Sequence, residues 1–218
     1  MSEREGGGNR MLERVAAILD AVETGPASAS GIARRTELSV STVHRLALSM
    51  TELEFLRRDS DGRFRRGARF VRSALENAAM PILTSLREET DETAQLWIRR
   101  GGDRLCLGSV DSSHTLRATL PPGTRQPLPA GSAGRLLALE EDAWEQIRER
   151  GWVESVGRRT PGLGSVSAPV TVGGHLIGAV CVAVPLARVA VSPGEDFGEQ
   201  TVLAADRLGD VMETIGLP

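Results

Sequence analysis

The sequence has no lysine and no tyrosine, only two cysteines, and aromatic side chains at 3% of its 218 positions. With so few rings there is little on which unpaired bases can stack, so single-stranded nucleic acid is a poor candidate ligand. Cys106 and Cys181 both sit inside apolar runs. In a reducing compartment they read as buried, inert thiols, not as a disulfide or a metal site. The three histidines, His44, His114 and His175, are far apart and lack ligand-spaced neighbours, so no metal is expected. The longest apolar run, Leu176–Ala187, contains Gly178 and Pro185. A membrane span needs about 20 apolar residues, so this run reads as a buried strand and no membrane association is expected. The opening MSEREGGGNR is charged, glycine-rich and without an apolar stretch, which makes a cytoplasmic protein the expectation. A phosphate loop is missing too, since Gly131–Gly134 has no Gly-Lys-Ser/Thr ending, and there is no Gly-x-Ser-x-Gly elbow. No enzyme, no catalytic residue and no cofactor are expected.

What is present is arginine. All 26 basic residues are Arg, and the net charge of −3 is unevenly spread. Residues 1–75 hold 13 arginines against 10 acids, whereas residues 76–218 hold 13 against 19. The densest stretch, 57–72, has seven arginines and two aspartates. A basic first part on an acidic second part points to an anionic partner for the first part alone.

Apolar spacing over Met11–Val22 predicts a helix ended by Gly25-Pro26. A short second helix carries Ile32 and Ala33, capped by Ser28 or Ser30. A third runs from about Val40 to Leu53, with Ser39 as its N-cap and Val43, Leu46, Ala47, Met50 and Leu53 on its inner face. Phe55–Arg58 and Arg63–Arg66 flank Asp59-Ser60-Asp61-Gly62, a hairpin signal. Helix, helix, helix, hairpin is the order of a winged helix-turn-helix. The outer side of the third helix carries Ser41, Thr42, His44, Arg45 and Ser49, short hydroxyls and an arginine suited to phosphates and base edges in a major groove. Arg57, Arg58, Arg63 and Arg65 of the hairpin suit the DNA backbone or minor groove.

The expected domains are a disordered tail over 1–9, a DNA-binding domain over 10–67, a linker helix over 68–80 and a second domain over 81–218. Pro81 is expected to kink or restart the helix. Strands are expected at 94–99, 104–110, 115–120, 152–159, 165–172 and 175–184, with helices at about 132–139, 141–150 and from Pro193 to about Ile215. The fold class is therefore α+β.

Several phrases, in order, resemble the IclR family of bacterial transcriptional regulators. Leu12–Leu19 is similar to its opening helix, Ile32–Thr36 and Ser41–Leu46 to its helix-turn-helix, and Arg57–Phe64 to its wing. Leu86–Thr90, Pro129–Leu137, Arg150–Trp152, Pro161–Val170 and Ala179–Pro185 are similar to landmarks of its effector domain. Some phrases look most like an actinobacterial branch linked to amino-acid biosynthesis. The resemblance implies a GAF-like effector-binding domain joined by a linker helix to the winged helix-turn-helix. It implies a homodimer, often a dimer of dimers, on a double-stranded operator, and a small-molecule effector such as an organic, amino or aromatic acid. By position, the pocket would be lined by Ser132, Ala133, Ser165, Cys181 and Ala183, with the helix start at Ser132–Arg135 receiving a carboxylate. The chain departs from the family at Glu37, where glycine is usual. It also departs after Gly151-Trp152, where acidic residues are replaced by Glu154-Ser155-Val156-Gly157, and in the short segment between Leu139 and Gln146. Two functions stand side by side: a metabolite-responsive regulator, and a small-molecule-binding module whose N-terminal helices are only a protein interface.

Overall fold

The computed structural model describes residues 9–215. All but the last residue of the expected tail over 1–9 lies outside them. The chain forms two compact units that divide between Ser73 and Ala74.

In the first unit each helix starts on a side-chain cap. Asn9 accepts the Met11 N–H at the start of α1 (Arg10–Ala21), Ser28 that of Gly31 for α2 (Ala29–Thr36), and Ser39 that of Thr42 for α3 (Val40–Glu52). Each cap satisfies one of the donors that a helix start leaves unpaired. Glu37, between α2 and α3, is left-handed at φ 57°, ψ 14°. The glutamate thus adopts the backbone for which glycine is the usual choice. Ile18, Ile32, Val43, Ala47, Leu56 and Phe64 form one buried cluster, so helices and hairpin share a core. The hairpin pairs β1 (Leu56–Arg58) with β2 (Phe64–Arg66), Arg57 facing Arg65. Gly67 closes it: a Cβ there would lie 2.3 Å from the Glu54 carbonyl oxygen.

From Ala68 the chain enters α4 (Ala68–Thr90), which runs unbroken through Pro81 instead of restarting there. Pro81 removes one backbone donor, but Leu75, Ala79, Ile82, Leu83 and Leu86 are all buried. Burial of that stripe outweighs the lost bond.

The second unit is built on a six-stranded antiparallel sheet of order β5-β4-β3-β8-β7-β6. Its strands are β3 (Thr93–Arg100), β4 (Asp103–Val110), β5 (Arg125–Pro127), β6 (Val153–Val156), β7 (Leu163–Val172) and β8 (His175–Pro185). The expected strand over 115–120 does not form. That segment is tied down locally instead, with the Thr119 hydroxyl donating to Asp111 and the Ser112 N–H donating to Thr93. Arg125–Pro127, which lies outside every expected strand, takes the place beside β4; an edge is where a strand tolerates proline. The strand expected over 152–159 ends at Val156, because Gly157 is left-handed at φ 64°.

Helices α5 (Gly131–Ala138) and α6 (Glu141–Arg150) share a core with Trp97, Cys106, Val153, Ala179 and Cys181. Side chains alternate along a strand, so Val180, Val182 and Val184 point to the opposite sheet face. The last helix, α7 (Pro193–Thr214), packs on β7 and β8. A Cβ at Gly194 or Gly198 of α7 would fall 2.0 Å or 2.3 Å from the indole of Trp152. These two glycines, one turn apart, form a slot that the ring fills. Among the described residues no helix is long and apolar enough to cross a membrane.

Candidate nucleic-acid interface and ligand cleft

The hydrophobic spacing of α3 divides it into two faces. Val43, Leu46, Ala47 and Met50 are buried, which leaves Ser41, His44, Arg45 and Ser49 exposed and Thr42 half-buried. At the helix start the Ser39 hydroxyl lies 3.1 Å from that of Ser41 and 2.8 Å from that of Thr42. Three hydroxyls thus gather where backbone N–H groups point outward, an arrangement that accepts a phosphate.

The four hairpin arginines are not equivalent. Arg57 is exposed. Arg63 is also exposed and pairs with Asp61 at 3.2 Å, a surface contact that solvent screens. Arg58 lies over the Phe64 ring at 5.7 Å and donates from Nε to the Gly62 carbonyl. Arg65 is half-buried and donates twice to Asp59, at 2.8 and 2.6 Å. Asp59 thereby neutralises the arginine that faces Arg57 across the hairpin, where two like charges would repel. Arg65 is a brace within the hairpin.

In the second unit, antiparallel register brings the expected pocket residues together. Ser165 faces Ala183 and Ser155, while Cys181 faces Ser167 and Gln95. Facing residues point to the same side, so one patch of sheet floors a narrow cleft. Ser165, Cys181 and Ala183 line it. Ser132 and Ala133 do not. Ala133 belongs to the core beneath, and Ser132 is buried behind Ser165. The neighbour that reaches the cleft from that helix start is Gly131. Ser132 still acts through its hydroxyl, which donates to Ser165 Oγ at 2.8 Å and lies 2.8 Å from Ser167 Oγ. Its N–H also reaches Ser165 Oγ, at 3.4 Å. The Ser132 proton is given to Ser165, so Ser167 donates to Ser132. The proton of Ser165 is left for an acceptor in the cleft.

Sequence reasoning missed Arg104, which also lines the cleft and is only 4% exposed. The signal was its parity: it lies two residues before inward-facing Cys106. Its guanidinium carbon sits 4.1 Å from the Trp97 ring. Burial pushes this guanidinium below the ordinary arginine value; the neighbouring thiols oppose that and Arg159 adds to it. Cys106 is pushed up to about 12, by burial first and then by Cys181. Its thiol is therefore neutral at physiological pH. Arg135 of α5, only 5% exposed, is held by Glu140, Asp142 and the Glu154 carbonyl. Only Leu139 and Glu140 separate α5 from α6, so the short segment in the sequence is a two-residue link. Among the described residues no cluster of three His, Cys, Asp or Glu side chains is placed to hold a metal ion.

Comparison with known proteins agrees with both halves. The family model described as the IclR helix-turn-helix domain matches residues 11–60. That described as bacterial transcriptional regulator IclR C-terminal matches residues 69–146. The HTH-type transcriptional regulator BhcR of Paracoccus denitrificans (strain Pd 1222) is 30% identical, over 95% of this chain and 89% of that protein. The HTH-type transcriptional repressor AllR of Escherichia coli (strain K12) is 26% identical, over 96% of this chain and 92% of that protein. A crystal structure of an IclR-family regulator from Rhodococcus sp. superposes with TM-score 0.62 at 25% identity, covering 97% of this chain and 98% of that one. An IclR homologue from Microbacterium hydrocarbonoxydans, solved with 4-hydroxybenzoate, has TM-score 0.58 at 22% identity, with 94% and 99% covered. At that identity the likeness speaks for the fold alone.

Proposed function

The chain belongs to the IclR family of bacterial transcriptional regulators, and from that premise we propose that it represses transcription by holding an operator through α3 and the hairpin. A small metabolite in the cleft of the second unit shifts the DNA-bound population. The observation that carries this reading is the outward face of α3, where Ser41, His44, Arg45 and Ser49 are uncovered beside the hydroxyl cluster at Ser39. Arg45 reads base edges; Ser39, Ser41 and Thr42 hold a phosphate; Arg57, Arg58 and Arg63 follow the backbone. The effector is a small organic, amino or aromatic acid. The 4-hydroxybenzoate found in the Microbacterium homologue supports that class. Ser165 gives the effector a hydroxyl proton. The working form is a dimer or a dimer of dimers in the cytoplasm.

The test is a preferred duplex selected from random sequence, then titrated against a scrambled one across a salt series. Affinity for both falls steeply with salt as arginines release counterions. Arg45→Ala lowers the ratio of selected to scrambled affinity by about tenfold, whereas Arg63→Ala weakens both alike. An unchanged ratio in Arg45→Ala removes α3 from the groove. DNA affinity without a salt slope would favour the protein-interface reading instead.

A further inference from the structure

Arg104 is a cation without a counter-ion. It is 4% exposed, and among the described residues no carboxylate pairs with it and no hydrogen bond reaches its guanidinium. Its Nε is fully buried and unpartnered. The neighbouring acid in β4, Asp103, pairs with Arg125 instead, at 3.8 Å. The ring of Trp97 covers one side of the guanidinium. Its Nη2 lies so close to Gly131 that a Cβ there would be 3.4 Å away. Arg159 lines the same cleft, and none of the cleft residues is acidic. Gln95 is no alternative partner, since its amide already donates to Ser109 and Leu120 and accepts from Trp97. A buried charge left unpaired in this way is costly to the folded chain. Arg104 and Ser165, with its spare proton, line the same cleft as donors.

We infer that Arg104 is the residue that recognises the charge of the effector, taking a carboxylate on its guanidinium while Ser165 donates to a further oxygen of the same molecule. Arginine suits this task because its planar fork matches two carboxylate oxygens at once. The inference rests on the effector reading above and narrows it, since a neutral amide of the same shape is rejected.

The experiment is calorimetric titration of the full chain with pyruvate and benzoate, each beside its neutral amide, in wild type, Arg104→Lys and Arg104→Met. At least one acid binds the wild type, and its amide binds about tenfold more weakly or worse. Arg104→Met loses about thirtyfold for that acid and nothing for the amide, while Arg104→Lys falls between them. Without ligand, Arg104→Met melts no lower than wild type, because it removes an unpaired buried charge. The inference is overturned if the acid binds Arg104→Met as it binds wild type, if amide and acid bind equally, or if neither acid binds wild type at millimolar concentration. It is also overturned if both variants melt far below wild type, which would make Arg104 scaffold. Adding the selected duplex separates the two readings. Binding through Arg104 without any change in DNA affinity sinks the regulatory reading alone. A DNA response that survives in Arg104→Met sinks the arginine's role alone.

Discussion

Glu37 holds a backbone that L-residues resist, and it places a negative charge at the C-terminus of α2, where the helix dipole is negative too. Replacing it by glycine relieves both, so Glu37→Gly should raise stability by about 0.5–1 kcal/mol, read as a higher melting temperature. Cys106 gives a pH prediction. Its proton is held more tightly in the folded state, because burial raises its value from 9.0 to about 12. Stability from this group is therefore complete below pH about 9 and is lost as pH rises toward about 12, by at most about 1.4 kcal/mol per unit. Cys106→Ala is less stable overall, but its stability falls more gently over that range. Equal alkaline slopes in wild type and variant would refute the assignment.

Elements were legible where one local signal dominated. Ser39 before an apolar stripe announced α3, and Asp61-Gly62 between two short runs announced the hairpin. The cap gives a prediction with two arms. Ser39→Ala should destabilise by about 1 kcal/mol, whereas Ser39→Asp keeps the cap and the stability. Ser39→Asp nevertheless weakens DNA binding by about tenfold at low salt, because its charge meets a phosphate. Equal DNA affinity in Ser39→Asp and wild type would exclude a phosphate at that helix start. Less legible were features decided by distant residues. Pro81 looked like a break, and only the buried stripe around it keeps α4 whole. The 115–120 run alternates weakly and is diverted by Asp111, Thr93 and the prolines that follow. The cleft was half legible. Ser165, Cys181 and Ala183 meet by register, but Ser132 lies one layer behind. Arg104 was passed over because an arginine in a strand reads as solvent-facing, and nothing nearby in sequence says that Trp97 covers it.

For the whole molecule, the uneven charge sets the behaviour in salt. Arginines outnumber acids only in the first 75 residues, so DNA affinity should fall linearly on logarithmic axes by roughly one power per phosphate neutralised. Sedimentation of the free protein should give two or four times 23.3 kDa; a monomer with full operator affinity would contradict the proposed assembly. The Trp152 slot bears on the last helix. With the indole seated between Gly194 and Gly198, α7 has no freedom to roll about its own axis or slip by a residue along the sheet. Gly198→Ala should cost about 2 kcal/mol or more. The azimuth of α7 is keyed by one ring, and that ring also sets the heading at which the exposed Leu203 and Val211 are presented.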